Sequence, residues 1–143
     1  MHSSDLIGTG AALYPGRWNK LGTPVLYTGE SVEIALLETV VNTPPMVVPN
    51  LDLLEIKIPE DSIFELKPKD LPSNWKDYPA PSILAEIGQE WVNVSNAIAL
   101  KVPSCVSPTA HNFILNCAHP DYRKKVRLIG LKPFEFDPRL TRK

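Results

Sequence analysis

No run of eighteen apolar residues occurs in the 143-residue chain, so no segment is suited to cross a bilayer as a helix. The opening MHSSDLIGTG lacks the basic flank and apolar stretch of a secretory signal, and a cytoplasmic protein is expected. Cysteine is scarce. Cys105 and Cys117 are too few for a disulfide framework, and reduced thiols are expected. An excess of either charge is also missing: fifteen Lys+Arg against sixteen Asp+Glu leave a formal net charge of -1, so no global field holds a polyanion and direct nucleic-acid binding loses support. There is no GxGxxG fingerprint, Walker loop or GxSxG elbow, which removes the sequence grounds for a Rossmann dinucleotide site, a P-loop NTPase or an α/β-hydrolase. Repeats and low-complexity segments are absent too.

What is present reads as an ordinary globular chain, long enough to bury a core within one domain. Fifteen prolines are about twice average usage, so many elements should end in proline-set loops. Residues 1 to 16 read as loop or extended segment, with no strand-like run ahead of Gly16-Arg17-Trp18-Asn19. A short strand follows over Thr23 to Thr28, with Pro24 near its start. Ser31 is a natural N-cap for a helix running to about Val41. Its stripe of Val32, Ala35, Leu36 and Val40 is joined by a second apolar face of Ile34, Leu37 and Val41, which predicts a widely buried helix.

Leu51 to Ile58 alternates as a half-buried strand, and Ser62 to Leu66 is a weaker one. The proline-rich loop over 67–82 is long enough to be a cover, with Trp75 and Tyr78 either lying over a cleft or packing on the surface. Ser82 is expected to cap a second helix whose Ile83, Ile87 and Trp91 share a face. Strands over Ala97 to Val102, with Ile98, Leu100 and Val102 on one side, over Asn112 to Cys117 and over Val126 to Phe136 complete the chain, and HPDYRKK forms a polar turn. Six or so strands and two clear helices without regular alternation predict a single compact α+β domain with mixed and antiparallel sheets.

Chemistry concentrates between Tyr14 and Glu38. Arg17 supplies a planar fork for phosphate or carboxylate, Tyr27 a ring face with one hydroxyl, and Glu38 a carboxylate on an otherwise apolar helix. A buried carboxylate needs a partner or a task, and a structural ion pair would serve as well as a catalytic one. Ser104 stands at a strand end, where its hydroxyl can meet a ligand or satisfy a turn. Cys105, His111, Cys117 and His119 make a Cys-x5-His-x5-Cys-x-His run, but the spacing fits no standard zinc pattern and no metal is expected. Nothing in the spacing of Ser104, His119 and Asp121 favours a catalytic triad. Arg123, Lys124, Lys125 and Arg127 form a basic patch that reads as a solvated face.

The ordered set Gly16-Arg17-Trp18-Asn19, Gly22, Pro24, Leu26-Tyr27, Ala35-Leu36 and Glu38, then Val102-Pro103-Ser104, Pro108, Asn112, Asn116, His119-Pro120 and Phe136-Asp137-Pro138-Arg139-Leu140 resembles the RES domain. The likeness covers nearly the whole chain. It implies a fold similar to ADP-ribosyltransferases, and a toxin of a bacterial toxin-antitoxin pair that consumes NAD by hydrolysis, phosphorolysis or ADP-ribosyl transfer. NAD is then a substrate and no cofactor is required. The family's arginine, glutamate and serine match Arg17, Glu38 and Ser104, with Tyr27 a further matched residue and Asn112 an added candidate for binding NAD. The implied partner is an Xre/HTH-type antitoxin, which carries the DNA binding in such pairs. A homodimer is compatible with the pattern.

Family members usually have an earlier strand with a Tyr-Arg-like pair before this turn, so the resemblance implies a domain lacking that strand. A silent domain of the same fold, serving as an antitoxin-binding module, is the alternative to an enzyme.

Overall fold

The structure, a computed structural model, describes Leu6, Gly8, Leu13 and residues 15–142. Tyr14 and most of the segment read as an N-terminal loop lie outside the described residues, as does the place of the earlier strand. Among the described residues the strands are β1 (Val25–Gly29), β2 (Leu51–Lys57), β3 (Ile63–Glu65), β4 (Ala99–Pro103), β5 (His111–Asn116) and β6 (Arg127–Phe134). The α-helices are α1 (Val32–Val41), α2 (Ser82–Val94) and α3 (Tyr122–Lys125). The α+β class expected from the sequence holds.

Four strands form one sheet in the order β1-β5-β4-β3, and β2 and β6 form a separate two-stranded ribbon. In the larger sheet β5 runs antiparallel to both β1 and β4, while β3 joins β4 in parallel. Period-two alternation then sorts the side chains into two cores. Val25, Leu100, Val102 and Ile114 meet Trp18, Trp75, Leu84 and Trp91 on one face. Ala99 and Leu115 join Ile98, Tyr122 and Val126 on the other, with Leu26, Phe113, Ile56 and Ile58 packed around them. Ile98 therefore does not share a side with Leu100 and Val102: it precedes β4, outside the alternating strand, and packs in the same core as its neighbour Ala99. Each fully buried Leu or Ile on these faces contributes about 1.5–3 kcal/mol.

The tryptophan-lined face is built by close approach. Leu84, Gly88 and Trp91 are the buried residues of α2. They follow an i, i+4, i+7 stripe that replaces the expected Ile83, Ile87 and Trp91 face. The displaced Ile83 is 43% exposed. The reason is Gly88, where a Cβ would stand 1.8 Å from the Trp18 carbonyl oxygen. Only the side with no side chain lets α2 lie on the Gly-Arg-Trp-Asn turn. Pro81 rather than Ser82 occupies the N-cap of α2, with no side-chain capping bond.

Helix α1 begins as expected, with the Ser31 hydroxyl accepting from Ile34 N–H at 3.2 Å. It is less covered than its sequence suggests. Ile34 is its one buried residue, and Leu37 and Val41 are 41% and 57% exposed. The helix has more apolar surface than the flanking sheet and ribbon can cover. The HPDYRKK stretch is likewise more than a polar turn, since Tyr122 opens α3 and is buried in the second core.

Candidate functional site

The Gly-Arg-Trp-Asn turn closes on itself through a Gly16–Asn19 bridge, with Gly16 N–H donating to Asn19 O at 3.1 Å. Tyr27 lies in the middle of β1 opposite Ile114, on the tryptophan-lined face. Its hydroxyl donates to the Asn19 Oδ1 and accepts from Trp18 N–H at 3.1 Å. A Cβ on Gly16 would sit 2.6 Å from that hydroxyl, so glycine is required for the turn to close over the ring tip. Although Tyr27 as a residue is 42% exposed, the open part is the ring, and the hydroxyl end is enclosed. Burial pushes its pKa up to about 12, against smaller lowering by the Trp18 N–H bond and the Arg17 charge.

Arg17 reaches the proline-rich loop. Its Nη1 donates to the Trp75 carbonyl at 2.8 Å and its Nη2 to the Asp77 carbonyl at 3.0 Å. The fork therefore straps the loop while leaving further N–H donors unengaged among the described residues.

Glu38 lies in the second turn of α1, half-buried. Its Oε2 accepts from the Ser104 hydroxyl at 3.0 Å. Ser104 follows β4 directly and continues its ladder, with Ser104 N–H donating to Ala110 O at 2.9 Å. The Ser104 Oγ also accepts from the N–H groups of Val106 and Ser107 at 3.1 and 3.2 Å. With one proton given and two accepted, and the residue 0% exposed, this hydroxyl has its hydrogen-bonding capacity filled. It serves the turn and aims the carboxylate at the same time.

Asn112 pairs with Gly29 in β1 and Val102 in β4, on the same face as Tyr27 and next to the sheet end where Ser104 stands. Its Nδ2 donates to Thr28 O at 3.3 Å. Beside it, His111 Nδ1 lies 2.7 Å from Glu30 Oε1 and fastens the ends of β1 and β5 together. The fold thus gathers Arg17 and Tyr27 around one turn and Glu38 and Ser104 around one bond. Asn112 stands between the two sets on the sheet, and among the described residues no hydrogen bond joins them directly.

Other sequence candidates are dispersed. His119 presents Nε2 to Asn96 O at 2.7 Å, and its Nδ1 accepts from Asp121 N–H at 3.0 Å. It follows the far end of β5 from Ser104, so no triad is assembled. Cys105 packs on one core and Cys117 on the other. Among the described residues no group of three or more His, Cys, Asp or Glu side chains is placed to hold a metal ion. No helix among them is long and apolar enough to cross a membrane.

A cavity of about 400 Å³ near His119 is lined by Asn96, Asn116 and Asp121 among others, and one of about 80 Å³ lies between α1 and the ribbon. Neither is lined by any of the five site residues. Asn19 is the site residue whose weight the sequence reading missed. Its full burial and its bond with the Tyr27 hydroxyl come from packing, and its place in the Gly-Arg-Trp-Asn turn was the one signal the sequence offered.

This arrangement offers a carboxylate oriented by a hydroxyl, a guanidinium with donors to spare and an open aromatic ring on one side of a sheet. Comparisons with known proteins concern the chain as a whole. A model of the RES domain matches residues 2–137. A protein of Yersinia enterocolitica named "Toxin Res" is 37% identical over 139 residues, covering 96% of this chain and 91% of that protein. The "Prs ADP-ribosylating toxin" of a Sphingobium strain is 34% identical over 145 residues, covering 99% and 89%. Among solved structures, a chain in the M. tuberculosis MbcT-MbcA toxin-antitoxin complex superposes with a TM-score of 0.65 at 17% identity, over 94% of this chain and 78% of that one, which establishes a shared fold. With the family model spanning almost its whole length and full-length relatives above 30% identity, the chain belongs to the RES domain family.

Proposed function

We propose that this protein is the toxin of a toxin-antitoxin pair and that it consumes NAD by breaking the nicotinamide-ribose bond. The observation that carries the reading is the Glu38 carboxylate held by the buried Ser104 hydroxyl at 3.0 Å. Loss of nicotinamide leaves an oxocarbenium-like ribose, and a fixed carboxylate stabilises that positive charge as it does in glycoside cleavage. No acid is needed for the leaving group, because the cationic pyridinium ring departs as neutral nicotinamide. Arg17 takes the pyrophosphate with its unengaged N–H donors. Tyr27 lies beside the nicotinamide-ribose end and Asn112 bonds a ribose hydroxyl. Ser104 acts through Glu38, since its own hydrogen-bonding capacity is filled.

Names of relatives support the coarse reading: both relatives described above are called toxins, one of them an ADP-ribosylating toxin. The partner in this reading is an Xre/HTH-type antitoxin. The exposed Val32, Leu37 and Val41 on α1 and Met46, Val47 and Val48 after it give a protein partner apolar surface to cover.

The test is incubation of purified protein with NAD, following nicotinamide and the ADP-ribose-containing product. Nicotinamide should be released by the native chain and not by a folded Glu38→Gln variant. Turnover that survives this exchange would refute the role of Glu38. Free ADP-ribose, its phosphate or a labelled protein distinguishes hydrolysis, phosphorolysis and transfer.

A further inference from the structure

Trp75 and Tyr78 are the two aromatic rings of the proline-rich loop, and the structure separates them completely. Trp75 is 6% exposed and belongs to the tryptophan-lined core, whereas Tyr78 is 89% exposed. The loop carrying Tyr78 is nonetheless held in place. Trp75 N–H donates to Pro72 O at 3.1 Å, and Asp77 N–H donates to Asn74 O at 3.0 Å. The Arg17 fork binds the carbonyls of Trp75 and Asp77, the second of them on the residue preceding Tyr78. An exposed ring on a loop usually costs ordering entropy when it binds something. Here the backbone beneath the ring is already fixed, so less is lost.

Arg17 therefore ties the turn that holds Tyr27 to the loop that carries Tyr78. At its backbone end the turn holds Tyr27 through Trp18 N–H and Asn19. Its guanidinium is bonded to the carbonyl of Asp77, the residue before Tyr78. A dinucleotide has the same order of parts, with a ring at each end and phosphates in the middle. Resting on the NAD reading above, we infer that Tyr78 is the platform on which the adenine of the substrate stacks, with Arg17 on the pyrophosphate and the nicotinamide end directed to Tyr27 and Glu38. A ring face suits this task because stacking on a base needs no hydrogen-bond partner. The same assignment gives Arg17 a second task as the strap that fixes the distance between the phosphates and the adenine platform.

The experiment uses three variants of the full chain. Tyr78→Ala should raise the KM for NAD about tenfold, the size of effect that loss of one base–aromatic stack produces, with kcat changed far less, and Tyr78→Phe should restore the native KM. Tyr78→Trp puts a fluorescent ring at the exposed position, and titration with AMP should quench it whereas nicotinamide should not. An unchanged KM in Tyr78→Ala, or no quenching by AMP, overturns the assignment. AMP binding is read without turnover, so failure of the NAD reading shows separately, as absence of nicotinamide release from the native chain.

Discussion

Ser104 Oγ donates to Glu38 Oε2 across 3.0 Å, joining the end of β4 to the second turn of α1. The bond makes the carboxylate's position a property of the sheet as well as of the helix. Removing the hydroxyl in Ser104→Ala also strands the N–H groups of Val106 and Ser107, a loss of about 1–3 kcal/mol in stability for groups left unpaired. Its larger effect should be on catalysis. A carboxylate displaced by an ångström costs up to about a hundredfold, so kcat for nicotinamide release should fall by roughly 10- to 100-fold with KM nearly constant. Steady-state kinetics on protein shown folded by circular dichroism measure this, and a fall in affinity alone would contradict the positioning role.

Gly88 tests how the site is supported from beneath. A methyl group there would meet the Trp18 carbonyl at 1.8 Å, and the obstacle is backbone that cannot swing aside. Gly88→Ala should therefore cost about 3 kcal/mol, the upper part of the range for overpacking, although alanine is the better helix former. A Tm lower by roughly 10 °C is expected. Thermal denaturation that finds the variant as stable as the native chain would show that α2 does not rest on the turn as described.

The Tyr27 phenol gives a pH dependence with a definite sign. Its folded pKa is raised to about 12 from the ordinary 10, so the folded chain holds this proton more tightly than the unfolded one. The associated stability is fully present below about pH 10 and is lost as pH rises towards 12. Urea unfolding should thus show an alkaline decline in the native protein that is smaller in Tyr27→Phe. At neutral pH the same variant should be less stable by about 1 kcal/mol, for the bonds to Asn19 and from Trp18 N–H. Parallel alkaline declines in both proteins would place the titration on another group.

The site was legible where chemistry is local. Arg17 on a glycine turn, Tyr27 on a strand, Glu38 inside a capped helix and Ser104 after Pro103 were all visible as residue types on defined elements, and each element formed close to its expected bounds. Burial was less legible. Two apolar faces on α1 suggested coverage all round, but periodicity reports how apolar a helix is and not how many neighbours reach it. The contrast between Trp75 and Tyr78 was equally closed to inspection, since both are large rings in one proline-rich loop and only packing chooses which one joins the core.

The sequence by itself determined the α+β class, the cap and start of α1, the alternation within β4 and the residue types carried by each element, because propensity, period and side-chain chemistry operate over a few neighbouring residues. The tertiary structure alone decided that Ser104 orients Glu38 from 66 positions away, that Arg17 straps a loop 58 and 60 positions distant, and that Gly88 admits the turn beneath it. These are contacts between segments far apart in the chain. They depend on the register of β1, β5 and β4, and a one-residue slip in that register would turn Tyr27 and Asn112 to the other face of the sheet.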